Sequence, residues 1–298
     1  MSLRIGVDLG GTKTEFVVLN TENDAIYRHR VATPAQDYDA ILQMIAFGIE
    51  RAEREVGETA SIGIGTPGAI SPDSGLLRNS NTAVMNGRPF LDDIQSRVAR
   101  EVRIENDANC FALSEALAGA GREHSVVFGV IIGTGTGGGI VVNGQLINGP
   151  HSIAGEWGHN PLPWHRAEDG KPECYCGKRA CIETFLSGPG LAANFAHDYG
   201  RQSDSQAIIA AALEGDKDCL DMMNRYTDQM ARALAHLINM LDPDAIVLGG
   251  GMSNIAAIYA QVPELLPCYV FSDFVDTPLL QARHGDASGV FGAAMLWN

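Results

Sequence analysis

Asp107 stands in Glu105-Asn106-Asp107-Ala108-Asn109, between a strand-like and a helix-like segment. Ligands gather at such strand ends in α/β sheets. A carboxylate there can orient a hydroxyl and accept its proton as phosphoryl transfer proceeds. Asn and Asp are also routine helix N-caps, so one of Asn106 and Asp107 can cap while the other faces a ligand. Two glycine-threonine turns are the next candidates: Gly10-Gly11-Thr12-Lys13 and the turn holding Thr134-Gly135. Each offers backbone N–H groups and a hydroxyl to an oxyanion. Asp8, just before the first turn, could hold Mg²⁺ directly or through water. Gly249-Gly250-Gly251, at a strand end, leaves a flat surface where an adenosine could lie. One such loop alone is read as a tight turn; three, two of them echoed, favour phosphate clamps.

A second constellation is His159 with Cys174-Tyr-Cys176-Gly-Lys-Arg-Ala-Cys181. Three thiolates and an imidazole suit tetrahedral Zn²⁺, although Cys-x-Cys is tighter than the usual zinc knuckle and free buried cysteines are the alternative. With four protein ligands such a site is structural and leaves no position for a bound water. Its task would be to pin the loop that carries Glu156 and Glu183, two carboxylates able to accept hydrogen bonds from sugar hydroxyls. A surface Glu is otherwise only a solvated charge. The remaining cysteines, Cys110, Cys219 and Cys268, are scattered, a poor disulfide framework.

These residues need elements to position them. Residues 4–19 (RIGVDLGGTKTEFVVL) and 127–142 (VFGVIIGTGTGGGIVV) share one plan of strand, glycine turn and strand. The echo predicts two related α/β lobes, each opening with a hairpin that faces a shared cleft. Ile41, Met44, Ile45, Ile49 and Ala52 predict a helix over 38–55, followed by a strand at 61–65. A strand is expected at 98–104, a helix at 108–118 and a hinge at 119–124. Leu220, Met223, Tyr226, Met230, Leu234, Leu237 and Leu241 predict a helix over 219–241 that Asp242-Pro243 stops, before a buried strand at 245–248. Residues 151–183 read as loop. The expected lobes are residues 1–118, joined by a C-terminal helix at about 286–298, and residues 119–285 with the zinc-bearing loop.

Two motifs are decoys. Gly133 to Gly138 satisfies G-x-G-x-x-G, but a strand follows where the dinucleotide fingerprint requires a helix. Gly6 to Thr14 resembles a phosphate-binding P-loop, yet Thr12 separates Gly11 from Lys13 and β-like residues follow.

Across 298 residues, 21 Lys and Arg face 36 Asp and Glu, a net charge of −15. This disfavours nucleic acid or an anionic membrane as partner. No apolar run reaches the length of a membrane span, and the N-terminus shows no signal-peptide core. A cytoplasmic location is expected. Ser2-Leu3 could be a cloning scar.

Taken together, Asp8-Leu-Gly-Gly-Thr-Lys13, Glu105-Asn-Asp-Ala-Asn109, Ile132-Gly-Thr-Gly135, Gly155-Glu-Trp-Gly-His159, Cys174-x-Cys-Gly-x-x-x-Cys181-x-Glu183 and Leu248-Gly-Gly-Gly251 resemble the ROK sugar kinases of the hexokinase–actin ATPase superfamily, over nearly the whole chain. The resemblance implies a two-lobed, duplicated, ribonuclease H-like α/β fold with a cleft between the lobes, ATP and Mg²⁺ as reactants, structural Zn²⁺ and a homodimer. It makes Asp107 the catalytic base and places Asn81, Asn106, Glu156, His159 and Glu183 on the sugar. His159, Cys174, Cys176 and Cys181 become the zinc ligands. Gly10, Gly11, Thr12, Lys13, Thr134 and Gly135 fall on the ATP phosphates with Asp8, and Gly249, Gly250 and Gly251 on the adenine side. Ala180 departs from the family's usual Gly before the third cysteine. Residues 79–87 and 156–164 look closest to the fructokinase/mannokinase branch, so the expected reaction is phosphorylation of fructose at the C6 hydroxyl. N-acetyl-D-glucosamine kinase is the alternative. A sugar-sensing ROK regulator is a further one, which the charge and the seven residues before Asp8 disfavour; a nicotinamide oxidoreductase is the third class.

Overall fold

A computed structural model describes residues 3–298; Met1 and Ser2, with the question of a cloning scar at Ser2, lie outside the described residues. In chain order the elements are β1 (Arg4–Leu9), β2 (Lys13–Leu19), β3 (Ala25–Ala32), α1 (Tyr38–Val56), β4 (Ser61–Thr66), β5 (Ala69–Ile70), β6 (Leu77–Arg78), α2 (Phe90–Val98), β7 (Val102–Asn106) and α3 (Asp107–Leu117). There follow β8 (Val126–Ile132), β9 (Thr136–Val142), β10 (Gln145–Leu146), α4 (Glu183–Leu186), α5 (Gly188–Tyr199), α6 (Ser205–Leu213), α7 (Lys217–Leu241), β11 (Ala245–Gly249), α8 (Ala256–Leu265), β12 (Leu279–Gln281) and α9 (Ser288–Met295). The chain forms two compact units. The first holds residues up to Glu123, Gly139–Ala154 and Arg283–Asn298; the second holds His124–Gly138 and Gly155–Ala282.

The first unit is built on a sheet of order β3-β2-β1-β4-β7. The β1–β2 and β2–β3 pairs are antiparallel, and β4 and β7 continue parallel to β1. Alternation along β1 sends Ile5, Val7 and Leu9 to one face, where they join Phe16, Val18, Ile62 and Ile64 in a core closed by Ile41, Ile45 and Ile49 of α1 and Phe90 and Ile94 of α2. Gly6 and Asp8 therefore point to the other face. That face carries α9 so closely that a Cβ on Gly63 would stand 1.8 Å from the Ala293 carbonyl oxygen. Glu115 of α3, fully buried, accepts hydrogen bonds from the N–H groups of Ala120 (2.9 Å), Arg283 (3.0 Å) and His284 (3.1 Å) and from the Ser288 hydroxyl (2.8 Å). It fastens the end of α3 to the start of α9.

In the second unit β8 is flanked by β9 on one side and by parallel β11 and β12 on the other. Three residues, Gly133–Gly135, join β8 to β9, which forces an antiparallel hairpin. Beyond Gly138, β9 runs into the first unit, where Val142 pairs with Gln145 of β10. Both sheets thus start with a hairpin and extend by parallel strands, the duplication that the sequence echo predicts. The long helix α7 buries Cys219, Met223, Tyr226, Met230, Leu234 and Leu237. Two sequence expectations are corrected. Val98 closes α2, and the strand begins only at Val102. Leu220 is exposed because Cys219 and Met222 take the inner face of α7. No helix among the described residues is long and apolar enough to cross a membrane.

Candidate active site

Asn106 and Asp107 both reach the backbone at the start of α3. Asn106 is the N-cap of α3: its Oδ1 accepts the Ala108 N–H at 2.9 Å, while its Nδ2 donates to the Gly68 carbonyl at 3.1 Å. Asp107, the first helical residue, is exposed, and its Oδ1 also accepts the Ala108 N–H at 2.8 Å. The helix N-terminus favours negative charge at this position. Glu105, one residue before the cap, accepts from the Asn106 N–H (2.9 Å), from Asn109 Nδ2 (3.0 Å) and from Asn148 Nδ2, so the strand-to-helix corner is held from several sides.

Asp8 is largely desolvated on the inner face of β1, in register with Glu15 of β2. Burial first, then repulsion from Asp107 and Glu15, pushes its carboxyl up to about 7, against the opposing pull of Arg30. Glu15 itself is ion-paired with Arg28 and Arg30. Two carboxylates that repel each other beside a glycine turn form a donor set for a hard divalent cation, which would relieve both desolvation and repulsion. The turn is closed by the Gly10 N–H to the Lys13 carbonyl (3.1 Å) and by the Thr33 hydroxyl to the Gly10 carbonyl (2.8 Å). Thr12 and Lys13 are exposed, and a Cβ on Gly11 would lie 3.6 Å from the Thr82 hydroxyl and 3.8 Å from Asn81 Oδ1. The first unit therefore gathers Asp8, Gly10–Lys13 and Asn81 around one turn and sets Asp107 within electrostatic reach of it.

In the second unit a pocket of about 410 Å³ brings Gly133 and Thr134 of the β8–β9 turn together with Gly251. The sequence reading missed its other walls: Gly188, Pro189 and Ala192 at the start of α5, Asp204, Ser205 and Gln206 around the start of α6, and Met252. Only the N-cap signals, Ser187 before Gly-Pro-Gly and Asp204 before α6, could have indicated them.

The ligand atoms of His159, Cys174, Cys176 and Cys181 all lie within 4.8 Å of one another. Cys174 Sγ is 3.6 Å from His159 Nδ1, and Cys176 Sγ is 3.7 Å from Cys181 Sγ. A tetrahedral ion with Zn–S bonds of ~2.3 Å would space sulfurs by ~3.7 Å, so this donor set fits zinc. His159 Nε2 meets the Tyr175 hydroxyl at 2.9 Å, the outer partner that fixes a metal-binding imidazole. Both ring nitrogens of His159 are thus engaged, and a sugar hydroxyl on His159 would have to replace Tyr175. Although Tyr175 is exposed over most of its surface, burial at its hydroxyl first, and then the nearby Glu183 and Glu156 carboxylates, push it up to about 12. Glu156 is exposed, and half-buried Glu183 opens α4 just past Cys181.

Comparison with known proteins agrees with this architecture. The ROK family model matches residues 4–298. The N-acetyl-D-glucosamine kinase of Haemophilus influenzae (strain 86-028NP) is 39% identical over 298 residues, covering 98% of each chain. Among solved structures, a ROK hexokinase from Thermus thermophilus superposes with a TM-score of 0.89 at 30% identity, covering 98% of this chain and 97% of the other. A ROK glucokinase from Streptomyces griseus, solved in complex with glucose and AMPPNP, gives 0.75 at 28% identity over 99% and 98%. A family model that spans all but the first three residues, and a relative matched from end to end, leave one assignment: this chain belongs to the ROK family.

Proposed function

We propose that the chain is an ATP-dependent sugar kinase that phosphorylates N-acetyl-D-glucosamine at its C6 hydroxyl. The observation that carries the chemistry is Asp107, an exposed carboxylate at the first position of α3, with Asn106 spent on the cap beside it. Asp107 accepts the hydroxyl proton as the oxygen attacks the terminal phosphorus. In the first unit the Gly10–Lys13 turn presents its backbone and Thr12 to phosphate oxygens, and Asp8 is the residue that would hold Mg²⁺. When bound, that ion neutralises charge building on the phosphates. In the second unit Thr134 and Gly135 meet phosphate, and the pocket behind them, reaching Gly251, takes the nucleoside. On the first unit Asn81 is the sugar contact; on the second unit Glu156 and Glu183 are acceptors for sugar hydroxyls. His159, Cys174, Cys176 and Cys181 would hold a structural Zn²⁺ that braces the loop bearing Glu156 and Glu183.

The fructose expectation is replaced. Relatives 39% and 40% identical to this chain are N-acetyl-D-glucosamine kinases. Some residues of the segments behind the fructose reading hold their own loops. Asn86 exchanges two 2.8 Å hydrogen bonds with the Ser80 backbone, and the Trp164 carbonyl accepts from Arg232 at 2.9 Å.

A homodimer, implied by the resemblance, is supported by exposed Phe271, Phe274 and Met240 on the second unit; sedimentation equilibrium tests it. A cytoplasmic location fits the use of ATP. The discriminating experiment is a coupled ADP-release assay over N-acetylglucosamine, glucose, mannose and fructose. The expected result is a kcat/KM for N-acetylglucosamine at least about tenfold above that for fructose, the worth of one well-placed hydrogen bond. A preference for fructose overturns the substrate assignment.

A further inference from the structure

The turn that joins β8 to β9 does not stand by itself. Thr136, directly after it, donates its N–H to Glu183 Oε2 at 2.9 Å. A Cβ on Gly135 would lie 2.8 Å from the same oxygen, so a side chain there would push this carboxylate from its place. Trp157 Nε1–H donates to the Gly137 carbonyl at 2.9 Å, and Gly158 packs so tightly that its Cβ would stand 2.0 Å from the Thr136 carbonyl oxygen. Gly188 donates its N–H to the Gly133 carbonyl at 2.8 Å. The backbone on both sides of Thr134-Gly135 is therefore gripped by residues between Trp157 and Gly188, the stretch that contains His159 and the three clustered cysteines. None of these bonds uses the Thr134 or Gly135 amide, the two groups at the tip.

We infer that Glu183 is a positioning residue for this turn, so that the metal-bearing loop shapes the nucleotide-phosphate site as well as the sugar site. The inference rests on the kinase reading, in which Thr134 and Gly135 meet phosphate. Donors aimed at an oxyanion work best when they are held in place beforehand. Glu183 supplies that hold by accepting the neighbouring N–H, which keeps the tip open. Its negative charge is not the useful property here; its acceptor oxygen is.

The test is binding of Mg²⁺·AMPPNP with no sugar present, by calorimetry on the full chain, for the unmutated protein and for Glu183→Ala, Glu183→Asp and Glu183→Gln. Without sugar, any role of Glu183 on a sugar hydroxyl drops out. Ala removes the acceptor, Asp keeps the charge but is one methylene too short, and Gln keeps an acceptor oxygen at full length. Ala and Asp are expected to weaken binding by about tenfold, the worth of one hydrogen bond, with Gln within about twofold of the unmutated protein. Should Ala fail to fold, the contrast between Asp and Gln decides alone. Undiminished binding in Ala or Asp overturns the inference and leaves the kinase reading standing, as does equal loss in Gln and Asp. Failure of the unmutated protein to bind AMPPNP overturns both.

Discussion

Ala180 has a backbone φ of 56°, in the left-handed region, immediately before Cys181. Its N–H donates to the Pro172 carbonyl at 2.8 Å and its carbonyl accepts from Leu162 at 2.9 Å, so the conformation is locked into the loop of the cysteine cluster. A Cβ in this region destabilises by about 1 kcal/mol. Ala180→Gly is accordingly expected to raise stability by about that amount in urea denaturation at fixed zinc; a loss of stability would refute the strain. The sequence showed that Ala stands where the family usually has Gly, but not that the position needs positive φ. The roles of Asn106 and Asp107 were likewise visible only as two options, because the sequence does not show that both side chains reach the Ala108 N–H. Tyr175 carried no signal beyond lying between two cysteines. Tyr175→Phe removes the partner of His159 Nε2, and the expected outcome is zinc affinity lowered by about tenfold in a competition assay with a chromophoric chelator. Unchanged affinity would show that the hydroxyl does not orient the ring.

At the scale of elements, α7 is anchored by a buried charge. Arg232 is fully buried, and both its terminal nitrogens donate to Asp169 at 2.8 Å; Gln229 adds a bond to the same carboxylate at 2.9 Å. Burial alone would raise the Asp169 carboxyl, but hydrogen bonds from Arg232, Gln229 and the Arg166 backbone outweigh it and bring it to about 2. The stability this depression confers is present above the ordinary carboxylate pKa near 4 and is lost as pH falls towards 2. It amounts to about 2 kcal/mol. Asp169→Asn should flatten that part of the stability-versus-pH curve; an unchanged acid slope would contradict the assignment. Arg232→Met strands a buried carboxylate and should cost about 3–5 kcal/mol. Asp169 and Arg232 are far apart in sequence, and no local pattern announces such a pairing. What was legible was periodic: the alternation of β1 and β2, the stripes of α1 and most of α7. Leu220 was misassigned because Cys219 and Met222 compete for the same face, and α2 was missed because its first turn is acidic and its buried residues are only Phe90 and Ile94.

At the scale of the molecule, the repeat of residues 4–19 in 127–142 was the strongest legible signal, because a glycine turn between two alternating strands constrains the backbone wherever it occurs. The return of Gly139–Ala154 and of Arg283–Asn298 to the first unit depends on packing between distant segments. The cluster of His159, Cys174, Cys176 and Cys181 was legible in residue type and spacing, and a purified preparation is expected to contain about one zinc per chain, the stoichiometry of a single four-ligand site. A folded, active and metal-free preparation would contradict that. The proposed reaction depends on the carboxylate at the head of α3. The most direct measurement is therefore Asp107→Asn, with kcat from ADP release and hexose affinity from calorimetry on the same preparation. Turnover should fall by about 1,000-fold or more, as loss of a general base does, while sugar binding stays within about threefold. An Asp107→Asn protein that turns over at near-normal rate would show that the proton goes elsewhere.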